Sequence, residues 1–361
     1  MIETERLLRY MVERRASDMH IVVGLPPQMR IDGELTASPG EALKPEDSKQ
    51  VAFSFLTPKQ IEQFEKEKEL DCSFGLAGLG RFRINVFYER GSVAAAVRMI
   101  PDKIPSLDSL GLPAIAKEFA ERPSGLVLVT GVAGSGKSTT LAAMIDHINR
   151  TRKARIVTIE DPIEYLHRHA QCTISQREIG SDCLSFPEAL RRVMRQDPNI
   201  IMIGEMRDLE TIRAALTLAE TGHLIIATLH TTDATHAISR VIDVFPADQQ
   251  EQIRVQLSLV LGAVIVQKLI PKKNGFGRVL ACETMRVVPA IQNLIRDNDL
   301  AQMRTLIQME QKFGTCSMNQ SLARLYHDGL IGWEEAVKHT LDVDELRQLS
   351  HRTGTSHAAT R

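Results

Sequence analysis

Aromatic residues are scarce in this sequence: phenylalanine, tyrosine and tryptophan make up 4% of its 361 residues, and there is one tryptophan. Proteins that hold single-stranded nucleic acid usually stack its bases on aromatic side chains. Charge of one sign is lacking too, because 44 lysines and arginines balance 45 aspartates and glutamates to give a net charge of −1. We therefore expect no nucleic-acid partner and no general attraction to anionic membranes.

Cysteine and long apolar runs are also limited. The five cysteines follow no paired zinc-binding spacing, and an odd count without a secretion signal indicates reduced thiols in the cytosol. The longest apolar run, Leu259 to Val266, is much too short to cross a bilayer. The sequence predicts a cytoplasmic protein without direct membrane insertion, whose role at any membrane depends on protein partners.

The pattern along the chain predicts two domains. Residues 1–100 combine one helical segment with several short strands and predict a small α/β domain. Residues 101–112 are rich in proline and turn residues and predict a linker. From residue 113 onward, short apolar strands alternate with helical segments, which is typical of a parallel sheet wrapped by helices. Helical periodicity dominates residues 246–361, and we expect disorder in the final ten residues.

The segment "GVAGSGKS" follows an apolar strand and opens a helical segment, which is the context that a phosphate-binding loop requires. Its glycines let backbone N–H groups surround phosphates at a helix N-terminus. Lys137 is placed to reach the β- and γ-phosphates, and Ser138 to bind Mg²⁺. The residues predicted to bind ATP are Gly131, Gly134, Ser135, Gly136, Lys137, Ser138 and Thr139.

Acidic residues follow two of the predicted strands. Glu160, Asp161 and Glu164 come at or after the end of "ARIVTIE", and Glu205 follows "NIIMIG". In a parallel sheet both strand ends lie at the edge that carries the phosphate loop. One acid can then help to hold Mg²⁺ while another polarises water. The alternative for each acid is a helix cap or an ion pair. Pro162 follows Asp161, and a proline at that position favours the start of a helix that Asp161 would cap.

Two histidines flank the apolar strand "LIIATL". His230 follows the strand, where a side chain beside a phosphate loop can hydrogen-bond the γ-phosphate, and His223 precedes it. A structural role is the alternative for both.

Three arginines, Arg81, Arg83 and Arg98, fall on predicted strands of the first domain. One interpretation is a solvated basic face. The other is that a guanidinium from this domain stabilises charge on the nucleotide of a neighbouring subunit.

Several long segments, in order, resemble the secretion and pilus ATPases, and most closely those that retract type IV pili. The similarity covers nearly the whole chain. It is carried by "ASDMHIVVGLPPQMRIDGEL", "GRFRINVFYERGSVAAAVRMIP", the Walker A region "GLVLVTGVAGSGKSTTLAAMIDHIN", the Asp box "IVTIEDPIEYLH", the Walker B region "IIMIGEMRDLETIRAALTLAETGH", the His box "TGHLIIATLHTTDA" and the C-terminal motif "AIQNLIRDNDLAQM".

The resemblance implies a PAS-like N-terminal domain followed by a RecA-like P-loop ATPase domain. It implies Glu205 as the Walker B acid, Glu164 as the general base for water and His230 as a sensor of the γ-phosphate. It also favours Arg83 and Arg98 as residues that reach the nucleotide. The family forms hexameric rings at the cytoplasmic base of the pilus machine, uses ATP and Mg²⁺, and acts through an inner-membrane platform protein. Pilus retraction and twitching motility are the implied function.

The sequence departs from the family pattern in three places. The phosphate loop reads Gly-Val-Ala-Gly where Gly-Pro-Thr-Gly is usual, which should matter little because backbone amides bind the phosphates. Gln292 replaces an arginine of the C-terminal motif. The chain also continues past the usual end, which is more typical of an accessory retraction ATPase that depends on a paralogous partner. That accessory role stays open as the alternative.

Four other classes of protein fit the sequence less well. They are a secretion ATPase with a zinc site, a nucleic-acid motor, a P-loop kinase and a non-hydrolysing ATP-binding module.

Overall fold

The computed structural model describes residues 4–31, 34–76, 78–101, 103–309 and 314–356. For residues 352–356 it describes the backbone alone. The chain divides into two compact units. The first comprises Met1–Lys103 and Glu164–Leu166, and the second comprises Ile104–Ile163 and His167–Arg361.

The first unit contains a six-stranded antiparallel sheet with strand order β3-β2-β1-β6-β5-β4. Side chains of β5 alternate between the core and the outer face, so that Phe82, Ile84 and Val86 are buried while Arg83 is exposed. The strands are β1 Asp18–Ile21, β2 Gln28–Ile31, β3 Glu34–Ala37, β4 Glu69–Leu76, β5 Gly80–Glu89 and β6 Ser92–Ile100. The helices are α1 Thr4–Glu13, α2 Pro45–Ser54 and α3 Pro58–Glu67.

The second unit contains a seven-stranded sheet with strand order β13-β12-β7-β11-β10-β8-β9, in which only the edge strand β13 is antiparallel. Every residue of β7, β10 and β11 is buried, as expected for strands covered on both faces. The strands are β7 Gly125–Thr130, β8 Arg155–Glu160, β9 Thr173–Glu178, β10 Ile200–Ile203, β11 Leu224–Leu229, β12 Leu261–Pro271 and β13 Arg278–Arg286.

Helices cover this second sheet and form most of the C-terminal part. They are α4 Ile115–Ala120, α5 Lys137–Thr151, α6 Phe186–Val193, α7 Leu209–Glu220, α8 Ala234–Asp243, α9 Ala247–Val260, α10 Pro289–Asp297, α11 Leu300–Met309, α12 Met318–His327, α13 Trp333–His339 and α14 Val343–Ser356. Across the described residues, none of the helices is long and apolar enough to span a membrane. The prediction of disorder from Arg352 was wrong up to Ser356, where α14 ends. Residues 357–361 lie outside the described part of the chain.

The prediction that residues 246–361 are helical was wrong for β12 and β13, which are strands. Helix α9 ends at Val260, and the same apolar run continues as β12, which pairs with β7 and β13. A short apolar run that is buried on both faces has no periodicity to separate strand from helix. The edge strand β9 also escaped prediction, because its sequence "TISQRE" is mostly polar.

Candidate active site at the carboxyl edge of the parallel sheet

Four neighbouring parallel strands end at the same edge of the second sheet. β7 ends at Thr130, β8 at Glu160, β10 at Ile203 and β11 at Leu229. The phosphate loop, Glu160, Glu205 and His230 follow or terminate these strands, so the fold places them at one edge. The carboxyl edge is where open α/β sheets bind their ligands.

His223 is not part of this group. It precedes β11 and therefore lies at the opposite edge of the sheet. Its Nδ1 is 3.0 Å from the carbonyl oxygen of Leu218, near the end of α7. The geometry gives His223 a local contact with the end of a helix.

Glycine is required at two positions of the phosphate loop by its backbone geometry. Gly131 has φ +148°, and a Cβ there would lie 2.5 Å from the carbonyl oxygen of Gln267 and 2.6 Å from Ser135 Oγ. Gly136, with φ +92°, is the N-cap of α5. A glycine cap brings no side-chain acceptor of its own, so the N–H groups of the first helical turn can turn towards an anion.

Lys137 begins α5 and is 8% exposed. Its Nζ donates hydrogen bonds to the carbonyl oxygens of Gly131, at 2.8 Å, and Val132, at 3.1 Å. These bonds hold the ammonium group against the loop that is predicted to surround phosphates. Ser138 and Thr139 follow in the same turn and are half-buried. The loop therefore brings one cation and several backbone and hydroxyl donors to one small region.

Glu205 accepts hydrogen bonds from two side chains at the edge of the sheet. His230 Nε2 lies 2.9 Å from Glu205 Oε1, and Arg207 Nε donates to the same oxygen. Burial by itself would raise the pKa of Glu205, but Arg207 and His230 outweigh it and lower the pKa below the ordinary value. Glu205 is therefore a carboxylate at neutral pH, as a ligand for a divalent cation must be.

Gly204, which precedes Glu205, lies close to the backbone of β8. A Cβ at Gly204 would lie 3.3 Å from both Glu160 Cα and the carbonyl oxygen of Ile159, which are backbone atoms of β8. The Gly204 N–H donates to that same carbonyl oxygen at 2.8 Å. A larger residue at position 204 would require the backbone of β8 to move by a few tenths of an ångström.

The remaining predicted acids lie at the end of β8 and after it. Glu160 is 6% exposed, and its Oε1 accepts hydrogen bonds from Thr158 Oγ1 at 2.5 Å and Gln176 Nε2 at 3.0 Å. Asp161 and Glu164 are exposed. Glu160 is thus held inside the second unit, whereas the carboxylates of Asp161 and Glu164 face solvent.

A cavity of about 380 Å³ opens beside Glu205 and His230, with Arg207 and Arg240 also in its wall. Neither Arg207 nor Arg240 was predicted from the sequence. Arg207 lies two residues after Glu205, and that proximity to a strand-tip acid was the available signal. Thr130 was missed too: its Oγ1 accepts the Thr231 N–H at 2.8 Å and so ties the end of β7 to the residue after His230.

In the first unit, the structure brings Arg83 and Arg98 directly opposite each other on β5 and β6. Like charges in such a pair repel each other. Asp18 offsets the repulsion at Arg98, with 2.7 Å between Asp18 Oδ1 and Arg98 Nε, and Asp71 lies 3.9 Å from Arg83. Burial would raise the pKa of Asp18, but the hydrogen bond from Arg98 lowers it. Arg81 is half-buried on the same strand as Arg83 and donates to Ser73 Oγ at 2.6 Å.

The donor set fits Mg²⁺ bound together with nucleotide phosphates. Mg²⁺ usually takes one or two protein oxygens and completes its shell with phosphates and water. Ser138 and Glu205 are the predicted protein ligands. Within the described ranges, no group of three or more histidines, cysteines, aspartates or glutamates is arranged to hold a metal ion by protein side chains alone.

Comparisons with known proteins agree with one another. The family described as "Type II/IV secretion system protein" matches residues 95–296. The PilT retraction ATPase of Pseudomonas aeruginosa is 47% identical over 93% of this chain and 97% of its own length. The PilU ATPase of the same organism is 40% identical over 96% of this chain and 91% of its own length. A crystal structure of the pilus retraction motor PilT with bound ADP superposes with a TM-score of 0.90 and 48% identity, covering 96% of this chain and all of that one.

Proposed function

The chain belongs to the family of type II/IV secretion system proteins and to its PilT-like branch, and we propose that it hydrolyses ATP to drive retraction of a type IV pilus. The observation that carries this proposal is a complete phosphate loop in a chain that matches PilT along nearly its whole length. The accessory, PilU-like role has weaker support, because identity to PilU is 40%.

ATP would bind with its phosphates on the loop from Gly131 to Thr139. Lys137 Nζ would exchange its bonds to the loop carbonyls for bonds to the β- and γ-phosphates. Ser138 and Glu205 would hold Mg²⁺, which neutralises charge that develops on the phosphates. Because Glu205 is ionised at neutral pH, it can take this role without first losing a proton.

Hydrolysis needs a base for water and a means to detect the γ-phosphate. Glu164 is the proposed general base, since its exposed carboxylate can accept a proton from water. His230 is the proposed sensor. Its Nε2 contacts Glu205, so a movement of the imidazole towards the γ-phosphate would be coupled to the Mg²⁺ ligand. The paired guanidinium groups of Arg83 and Arg98 are proposed to stabilise phosphate charge.

The motor is proposed to be a cytoplasmic homo-hexamer at the inner-membrane side of the pilus machine. A platform protein of the inner membrane is the proposed partner through which pilin subunits leave the fibre, and a paralogous retraction ATPase is a further partner. Residues 101–112 are the proposed hinge between the PAS-like and RecA-like domains, about which ATP turnover moves them as rigid bodies.

Steady-state ATP hydrolysis by the purified chain, with and without Mg²⁺, tests the proposed chemistry. We expect Mg²⁺-dependent turnover from a particle whose mass by light scattering is that of a hexamer. Lys137→Ala should abolish nucleotide binding or turnover, whereas Glu205→Ala and Glu164→Ala should abolish turnover and spare binding. Glu334→Ala, at an exposed glutamate of α13, is the matched control. Wild-type rates in the Lys137 or Glu205 variant would contradict the site assignment. A monomer that binds ATP without turnover would favour the accessory role.

A further inference from the structure

The edge strand β9 contacts the loop that follows β8 at two backbone positions. We call residues 161–167 the Asp-box loop. Glu178 Oε2 accepts the backbone N–H of Ile163 at 3.1 Å, and Gln176 Oε1 accepts the backbone N–H of His167 at 2.8 Å. Glu164 lies between these two positions in the sequence. Both side chains therefore restrain the backbone on either side of the proposed general base.

Gln176 also bonds to Glu160, the residue just before the loop. While its Oε1 accepts the His167 N–H, its Nε2 donates to Glu160 Oε1 at 3.0 Å. Thr158 Oγ1 donates to that carboxylate oxygen as well. The register explains the convergence: Thr158 pairs with Gln176 and Glu160 with Glu178, so these alternate residues project from the same face of two parallel strands. The side-chain amide of Gln176 thus connects the last residue of β8 with the last residue of the Asp-box loop.

Glu178 is 4% exposed, and its second carboxylate oxygen accepts a hydrogen bond from Ser181 Oγ at 3.3 Å. A buried carboxylate is costly unless hydrogen bonds satisfy it, and here a backbone amide and a hydroxyl do so. The hydrogen bond from the Ile163 N–H to Glu178 would be lost if the loop moved away. The buried acid and the loop therefore stabilise each other.

We infer that Gln176 and Glu178 are positioning residues that hold Glu164 in place by fixing the Asp-box loop on both sides of it. The inference rests on the proposed function for its effect on catalysis, because it assumes that Glu164 activates water. A displacement of about 1 Å of a reacting group can lower the rate by about 100-fold. Neither side chain is expected to touch nucleotide, and so neither should change its affinity.

A purely structural role would also fit these hydrogen bonds, and the kinetic constants separate the two roles. Gln176→Leu and Glu178→Leu remove the acceptors, whereas Glu178→Gln keeps an amide oxygen for the Ile163 N–H. We expect kcat to fall on the order of 10-fold to 100-fold in both leucine variants, with the affinity for a fluorescent ADP analogue unchanged. Glu178→Gln should restore most of the wild-type kcat.

Gln320→Leu is the matched control. Gln320 is half-buried like Gln176, its Oε1 accepts the Ser317 N–H at 2.9 Å, and its Nε2 donates to the Gln308 carbonyl at 2.9 Å, but it lies in α12. The control should lose a similar amount of stability and keep its kcat. Equal losses of kcat in the control and in Gln176→Leu would overturn the positioning role.

Amide hydrogen exchange tests the restraint without relying on activity. In the wild-type hexamer, the Ile163 and His167 amides should exchange slowly, and each should exchange faster in the variant that removes its acceptor. Rapid exchange at both amides in the wild type would overturn the inference even if no variant folded. Glu164→Ala separates the two claims. If that variant keeps full turnover, the proposed base is wrong; if it is inactive while both leucine variants keep full turnover, the positioning role is wrong.

Discussion

Gly131→Ala is predicted to weaken nucleotide binding because the first glycine of the phosphate loop has no room for a side chain. The added Cβ would lie 2.5 Å from the carbonyl oxygen of Gln267, nearly 1 Å closer than an ordinary contact. Gln267 belongs to β12, whose backbone is held between β7 and β13 and cannot easily move. Ser135 Oγ, at 2.6 Å, can rotate away, so the carbonyl contact decides the outcome.

Two costs add in this variant. Overpacking in a closely packed region costs about 1–3 kcal/mol, and an alanine at φ +148° adds strain of about 1–3 kcal/mol. The loop can shift more easily than the strand, so we expect the phosphate loop to be displaced. Restoring its binding conformation should then cost about 3 kcal/mol. Since about 1.4 kcal/mol corresponds to tenfold in affinity, the affinity for ADP should fall by about 100-fold.

Titration with a fluorescent ADP analogue measures this loss, and urea unfolding shows whether the fold is intact. Gly222→Ala is the control, because Gly222 has φ +97° but open space where a Cβ would lie, at the edge of the sheet away from the loop. It should lose stability through backbone strain and keep its affinity for ADP. Wild-type affinity in Gly131→Ala would refute the argument that the Gln267 carbonyl fixes the loop.

Three further predictions concern the C-terminal part of the chain. Burial raises the pKa of Glu283 from 4.5 to about 7, so the folded state binds this proton more tightly than the unfolded state. The free energy of unfolding should therefore decline as pH rises from about 4.5 to 7. Urea unfolding at pH 5 and pH 8 should show a decline of up to about 3 kcal/mol in the wild type and none from this group in Glu283→Gln. Gln292→Arg should leave ATP turnover unchanged, and a large change in rate would show that α10 influences the active site. Leu346 is fully buried on α14, and Leu346→Ala should lower the free energy of unfolding by about 2–5 kcal/mol. A loss below about 1 kcal/mol in urea unfolding would show that α14 does not pack as described.

The phosphate loop and the strand-tip residues were predictable because their chemistry is local. "GVAGSGKS" gives the loop, and an apolar run that ends in a polar residue gives each strand tip. The sheet then brings Glu205 and His230 into contact without further information, since both follow adjacent strands. His223 was not placed correctly by the same argument. It is adjacent to β11 in the sequence, but it precedes the strand, and only the carboxyl end of β11 lies at the edge that carries the phosphate loop.

What escaped prediction depends on contacts distant in sequence. The strand β12 shares an apolar run with α9, and pairing with β7 and β13 decides which part becomes strand. The polar side chains of Gln176 and Glu178 on β9 bond to the Asp-box loop. The same polar side chains remove the apolar pattern by which a strand is predicted from sequence. The close approach of Gly204 to β8 likewise appears only in the folded structure.

The most direct test of the central claim is pilus retraction in the bacterium that encodes this chain. The gene would be deleted and replaced by the wild type or by Lys137→Ala, and retraction of labelled pili would be recorded by fluorescence microscopy. We predict that deletion stops retraction, that the wild type restores it, and that Lys137→Ala does not although it is expressed at the same level. Normal retraction in the deletion strain, or in the strain carrying only Lys137→Ala, would contradict an ATP-driven retraction motor.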